Sequence, residues 1–511
     1  MIVNPSGVVK IMHNVAWHSD MKNVRLFKNA SEQNTYMANH TKYTLTNFTY
    51  VREQRALRVP VVADDLYNCN YLSFQNRGFG TKNFFAFITD VRYINNETSE
   101  ISFELDYFQT WWFQVYLNNC LVEREHVNDD TVGANTLDEG LDFGEMCVHN
   151  TWGRYWSEED SDHNPNWKLA IQVKPSLAMS ILGENVEAMY YGNKQFYPYT
   201  RRSDKDNISA IQDWIPLCTA AGGEIINCYM YPKEFEGLPQ IPLEGLGSVH
   251  GIKRPEGFID YADNQTTPRE YKPKNNKLLT FPYTKLLVVS TDGNQAEYKW
   301  ERTKEGEVKF TLYHNHLNKP SCELRPTNYF RDASQRLNTV ALEEFPKVQM
   351  NQYESLNLST MFNSFGALSK GLESAVSGDV VGSIASNVSL ANQLGKIATD
   401  SGKALAGTTD GCLDVKYETV GFVFYVMAID YNHAKSIDNY FTRYGYKVNQ
   451  LKVPNTTGRE FFNYVKTSEC LPQGDAPDEA LREIGKMFDR GVTLWHIDTF
   501  VVPNNNPIVT P

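Results

Sequence analysis

The chain lacks every strong catalytic signature. It has no P-loop, no GxSxG, no HExxH, and no GxGxxG in a strand–helix context. Cysteine is scarce: eight residues, at 69, 120, 147, 218, 228, 322, 412 and 470, with no CxxC among them. That spacing offers neither a zinc site nor a disulfide framework, and reduced thiols are the default. No run of about 18 apolar residues occurs, so no constitutive membrane span is expected. The opening MIVNPSGVVKIMHN has no apolar core of signal-peptide length, so no leader is expected. Positive charge is also short. Against 61 Asp and Glu stand 49 Lys and Arg, a net charge of −12. Such a chain does not grip nucleic acid through its phosphates, although it can surround nucleic acid without sticking to it. These absences move the weight from enzyme to structural protein, and no catalytic, cofactor-binding or metal-binding residue is assigned.

What the chain has in quantity is aromatic side chains, 29 Tyr and 27 Phe, which suit half-buried sheet surfaces and interfaces. The expected class is mainly β with a few helices, in two to four folded units over 511 residues. Strands are read at 7–15, within 43–62, at 66–76, and at 84–94 and 101–112, the last two joined by the turn Asn95-Asn96-Glu97. From about 150 the chain becomes polar and Gly/Pro-punctuated. Strands are read there at 167–174, 228–232, 279–290, 296–302 and 307–316, with Asp292-Gly293 as a hairpin turn. The last fifth reads as strand 421–430, helix 432–445, strands 446–454 and 461–470, helix 478–491 and strand 492–498. Gly445 and Gly491 stop the two helices.

Residues 356–407 differ from all of this. They are Gly, Ala and Ser with apolar residues threaded through, and they contain no Pro, Tyr, Trp or Cys. Leu358, Met361, Phe362, Phe365, Leu368, Leu372, Val376, Val380 and Ile384 fall at steps of three and four, the spacing of one helix face. Gly366, Gly371, Gly378 and Gly382 each cost a helix about 1 kcal/mol relative to Ala. The segment is amphipathic and helix-capable but poorly committed. It reads either as a surface insertion or as a segment that changes state.

Several groups could carry chemistry, and each has a plain structural alternative. His314 and His316 share a strand face, and a metal there would need a third ligand such as His13 or Glu323. Trp111-Trp112, read on a strand, would face opposite sides, one to the core and one to an interface or a sugar. Glu158, Glu159, Asp160 and Asp162 could hold a cation or form a solvated loop. Asp138-Glu139 and Glu123-Glu125 offer carboxylates for a glycosidase, without a placed partner. Arg124, Glu125 and His126 could pair with charges on a neighbouring subunit.

Taken in order, LYNCNYLSFQN, FELDYFQTWWF, VEREHV and NTLDEGLDFG in the first third resemble the tail knob, or distal tail tube, family of small short-tailed, protein-primed bacteriophages. YFTRYGYKVNQLKVPN, FFNYVKTSECL and REIGKMFDRGVTLWHID in the last fifth extend the same resemblance. It implies a tail-tube-like β-barrel subunit built from 1–150 together with 412–511, a β-rich insertion domain at 151–345, and an apolar loop at 346–411. It implies a homohexamer whose hollow tube, at the distal end of the tail in the virion, lets the double-stranded genome leave without specific binding. The implied partners are the lower collar and other tail proteins, the host cell envelope and the host membrane. In that family the loop plugs the tube before ejection and is proposed to enter the membrane, a role that would fall here on the nine apolar residues from Leu358 to Ile384. Lys370, Glu373, Asp379, Lys396, Asp400 and Lys403 depart from a purely apolar loop. A receptor-binding tail adhesin and a cell-wall-degrading tail enzyme are the competing readings.

Overall fold

A computed structural model describes residues 7–48, 55–75, 80–156, 167–174, 193–199, 224–232, 240–242, 251–260, 268–290, 293–303, 306–315, 321–329, 341–344, 347–350, 405–407 and 420–509. The chain divides into two units. One comprises Met1–Phe143, Tyr271–Leu278 and Tyr431–Pro511, and the other Gly144–Glu270 and Leu279–Asp430.

The first unit contains a six-stranded antiparallel sheet. Its order is Thr41–Phe48, Gly7–His13, Cys69–Gln75, Asn83–Asn95, Thr98–Leu105 and Ala56–Val59. Strand alternation sends Leu72 and Phe74 to one side, where they join Val9, Ile11, Val59, Ile101 and Phe103. It sends Tyr71 to the other, with Met12, Phe85, Phe87 and Trp17. Both faces are therefore covered, and the Tyr and Phe content goes into packing. The turn at Asn95 closes with Asn95 opposite Thr98, as the sequence leads one to expect.

A second sheet in this unit joins distant parts of the chain. Its order is Asn23–Arg25, Val492–Trp495, Phe462–Ser468, Cys120–Glu125 and Tyr446–Lys452. Only the first pair is parallel. Helices Tyr431–Tyr444 and Asp478–Arg490 lie within about a residue of the expected bounds. Gly445 and Gly491 follow them with φ of 65° and 89°, the left-handed conformation that glycine adopts without a Cβ clash. A Cβ on Gly445 would also collide with the Glu125 carbonyl.

Two readings need correcting. The strand expected over 101–112 ends at Leu105, because Asp106 caps a short helix, Tyr107–Trp111, by accepting from the Gln109 N–H at 2.9 Å. Trp111 and Trp112 are thus not strand neighbours on opposite faces. Trp111 is buried, and Trp112 packs on Phe108 and Phe488 with ring centroids 4.7 and 6.1 Å away. Helix Ala30–His40 was not anticipated at all. Asn29 caps it by accepting from the Glu32 N–H at 2.9 Å, while Glu32 accepts from the Lys28 N–H.

The second unit is β throughout its described residues, apart from short 3-10 turns. Val420–Ile429 is the expected buried strand. It lies between Met146–Trp156 and Thr284–Ser290 in a four-stranded antiparallel sheet completed by Gln295–Tyr298. Phe422, Phe424 and Val426 alternate into a core shared with Leu286, Val288 and Tyr298. A five-stranded sheet places Trp167–Lys174 between Asn193–Tyr199 and Glu224–Pro232 and continues through Lys347–Met350 to Leu405–Gly407. A third sheet runs Gln240–Pro242, Phe310–Asn315, Ser321–Pro326 and Ala341–Glu344.

Candidate functional site

A dense polar cluster lies in the first unit, where three stretches far apart in sequence meet. Strand Cys120–Glu125 and the loop after it present Arg124, Glu125, His126, Asp130 and Glu139. Residues 271–277 present Tyr271, Asn275 and Lys277. Helix Tyr431–Tyr444 and the strand after it present Asp438, Thr442 and Tyr446.

Asp438 is fully buried on the helix face that also carries Ala434, Ile437 and Phe441. Its carboxyl accepts from the Tyr271 hydroxyl, from the Lys274 N–H at 2.8 Å, from the Asn275 N–H at 3.0 Å and from Asn275 Nδ2 at 2.8 Å. Burial and the neighbouring Asp438 push the Tyr271 phenol well above its usual range. Asn275 Nδ2 also reaches Thr442 Oγ1 at 2.8 Å. Segment 271–275 is therefore clamped to one helix chiefly by the Asp438 carboxyl, with Thr442 adding a bond to Asn275.

Glu139 has no exposed side-chain surface and lies between Arg124 and Lys277, both in ion pairs with it. The Lys447 N–H adds a bond at 3.0 Å, and Arg124 Nη1 donates to the Gly445 carbonyl at 2.8 Å. Burial pushes the Lys277 ammonium down, against the pull of Glu139. Glu125, also fully buried, pairs with Lys452 and accepts from the Asn455 N–H at 2.9 Å.

His126 is held in one tautomer. The Tyr464 N–H donates to Nδ1 at 2.7 Å, so Nδ1 carries no proton and Nε2–H donates to the Thr442 carbonyl at 3.1 Å. Desolvation, with Arg459 nearby, pushes its pKa down to about 3. The unfolded ring titrates near 6.5, so above that value both states are neutral and His126 adds no pH dependence. Below it the unfolded chain takes the proton first, and stability falls by about 1.4 kcal/mol per pH unit until about pH 3. His496, pushed down to about 4 by burial and Arg25, acts in the same direction. Asp106, pushed up to about 6 by burial, opposes both between its unfolded value and about 6. The expected result is therefore differential. Urea unfolding of His126→Gln should start from lower stability near neutral pH but lose about 1.4 kcal/mol less per pH unit on acidification than the parent. Equal slopes in the two proteins would rule out His126 as a source of the acid sensitivity.

Beside this cluster opens a polar cleft of about 920 Å³, lined by Asp130, Asn275, Asn455, Arg459 and Asn506 among others. The C-terminal tail forms part of its wall. The Val509 N–H donates to the Gly458 carbonyl, the Glu460 N–H donates to the Pro507 carbonyl, and the Asn506 side chain bridges Phe461 N and Phe462 O.

The groups weighed from sequence take the following places. Arg124, Glu125 and His126 each have partners within their own unit, as given above. Glu139 is neutralised by two cations, and Glu123 pairs with Lys466 at 2.7 Å, so neither is a free acid–base group. Asp138 accepts from the Gly140 N–H. Glu323 bonds Arg325 Nε at 2.9 Å on its own strand. His13 and His314 fall in different units. His316 and the acidic run Glu158, Glu159, Asp160 and Asp162 lie outside the described residues. Among the described residues no group of three or more His, Cys, Asp or Glu is arranged to hold a metal, and no helix is long and apolar enough to cross a membrane. Leu358, Met361, Phe362, Phe365, Leu368, Leu372, Val376, Val380 and Ile384 also lie outside the described residues.

What this arrangement does chemically is organise. Every buried carboxylate in it is committed to several donors, and no nucleophile stands beside a free base. Comparison with known proteins agrees. Residues 254–507 match the family model of the C-terminal domain of the Bacillus phage phi29 tail knob protein gp9, and residues 5–116 match that of the caudoviral major tail protein N-terminus. The tail knob protein gp9 of Bacillus phage PZA is 26% identical, over 96% of this chain and 96% of its own. The chain belongs to the tail knob family. Tail knob protein gp9 of phage phi29 is 25% identical and that of phage B103 24%, each with the same coverage of both chains. The tail knob protein gp12 of bacteriophage C1 shares the fold, with a TM-score of 0.56 at 14% identity over 98% of this chain and all of its own. These tail knob relatives are structural proteins, in keeping with the reading of this chain as a structural protein rather than an enzyme.

Proposed function

We propose that this tail knob protein sits at the distal end of a short phage tail and forms a homohexameric tube through which the double-stranded genome leaves. The observation that carries the proposal is similarity to named tail knob proteins over 96% of both chains. Composition supports it. A net charge of −12 suits a wall along which DNA must slide, because phosphate is repelled rather than held. A ring of heterologous contacts needs rigid subunits, and the Asp438 and Glu139 clusters supply rigidity where the chain is discontinuous.

Within this reading 1–150 and 412–511 make the tube-forming domain, 151–345 an insertion domain and 346–411 the plug. The plug is the proposed membrane-active element, and the lower collar and tail proteins, the host envelope and the host membrane are the proposed partners. Negative-stain images of purified protein should show six-fold rings with a central hole. A protein that stays monomeric at high concentration and shows no ring would overturn the tube. The adhesin and tail-enzyme alternatives have no observation of their own in their favour.

A further inference from the structure

Two of the described cysteines are not isolated from one another. Cys120 opens strand Cys120–Glu125, and Cys470 lies just beyond the end of its neighbour, Phe462–Ser468. The register places Ser468 opposite Leu121. Continued by one residue, that register sets Glu469, which takes φ of 56°, opposite Cys120, so Cys470 is the next residue along from Cys120's partner position. Both side chains are buried, at 7% and 4% exposure, and each thiol lies near enough to act electrostatically on the other.

The Cys470 backbone is fixed from two sides. Its N–H donates to Asp489 Oδ1 at 3.1 Å, the same oxygen that Thr467 Oγ1 donates to at 2.7 Å. Its carbonyl packs against Gly485 of helix Asp478–Arg490, where a Cβ would collide with it. The residues that follow them in the chain, Leu121 and Leu471, are 40% and 73% exposed.

We propose that Cys120 and Cys470 are a latent disulfide, a modification site that closes when the folded protein meets a small-molecule disulfide. One protein thiol gives its proton to solvent and its sulfur attacks the oxidant, RS–SR. The RS–SR bond breaks, a mixed disulfide forms, and the expelled thiolate takes up a proton as RSH. The second protein thiolate then attacks the protein sulfur of the mixed disulfide and expels a second RSH. Two protein thiols are oxidised and one disulfide is reduced to two thiols.

Burial decides the tempo. It pushes the Cys120 thiol up and, with Cys120 and Asp489 alongside, the Cys470 thiol up to about 12. Thiolate is scarce at neutral pH, so closure is slow there and faster in alkali. A cross-link would tie the first third of the chain to the last fifth across a loop of about 350 residues, the long-loop case in which chain-entropy stabilisation is largest.

The test uses the full chain purified reduced, then held in oxidised glutathione at alkaline pH. Peptide mapping without reductant should find the Cys120 and Cys470 peptides joined. The oxidised protein should unfold a few degrees higher than the reduced protein. Cys470→Ser should abolish both the joined peptide and the shift, leaving Cys120 reduced or carrying glutathione. Cys120→Ala provides the same check if the serine variant does not fold. The proposal is overturned if Cys120 and Cys470 stay reduced, end as separate glutathione adducts, or pair with other cysteines. None of these outcomes bears on whether the protein forms a six-fold ring.

Discussion

Replacing Asp438 with Ala should destabilise the first unit by about 3–5 kcal/mol, the range for breaking a buried, multiply bonded polar cluster. The size follows from what the change strands. Two backbone N–H groups, those of Lys274 and Asn275, lose their acceptor, and so does the Tyr271 hydroxyl, while the Asn275 amide loses one of its acceptors. Asp438 has no exposed surface, so water does not simply replace it. Asp438→Asn keeps one acceptor oxygen but turns an NH₂ toward donors, and it should cost less than Ala and more than a surface change. Urea unfolding followed by Trp fluorescence measures both variants. Limited proteolysis should cut within 271–278 of Asp438→Ala while the parent resists. If Asp438→Ala unfolds within about 0.5 kcal/mol of the parent, the typical scatter for surface changes, the clamp contributes nothing measurable.

The clamp also shows where sequence reading stops. The helix carrying Asp438 was legible from Ile437, Tyr440, Phe441 and Tyr444, and from Gly445 at its end. These signals lie within a few residues of one another. Asp438 itself sits on the buried face between Ile437 and Phe441, and a carboxylate there was the one available hint that something would dock on it. Nothing in the local pattern named Tyr271 or Asn275, because that contact spans more than 160 residues. The intra-chain partners of Arg124, Glu125 and His126 were out of reach in the same way. Three adjacent polar residues at the end of a strand name no partner of their own, and only the tertiary fold brings Glu139, Lys452, Thr442 and Tyr464 to them.

Two missed helices had local signals that lost to stronger ones. Asn29 followed by Glu32 is a cap pattern, but the helix after it, ASEQNTYMANH, has almost no apolar face to give a 3.6 period. Asp106 stands inside an aromatic run whose strand character hid its capping role. The hairpin at Asn95 and the strand at 420–429 were legible because turn residues and apolar content agreed there.

Deleting 356–407 should abolish membrane activity while leaving subunits that still form rings. We propose that the segment occupies the tube end in the closed state, with Met361, Phe362, Phe365, Leu368, Leu372 and Val376 packed against the same face of neighbouring copies. Four glycines between Leu358 and Ile384 weaken a lone amphipathic helix, and six copies together would bury apolar faces that one copy cannot. Released, that face would meet lipid. Asp379 then decides the pH dependence: a carboxylate costs several kcal/mol in the bilayer unless protonated, so acid lowers the barrier to insertion. Dye release from liposomes should therefore be greater at about pH 5 than at about pH 7 for the parent, and Asp379→Asn should bring the pH 7 level close to the pH 5 level. The deletion should release little dye at either pH, and its rings should show a more open centre. If the deleted protein forms normal rings and releases dye as well as the parent, the segment is not the membrane-active element. If those rings are no more open than the parent's, it is not the plug either.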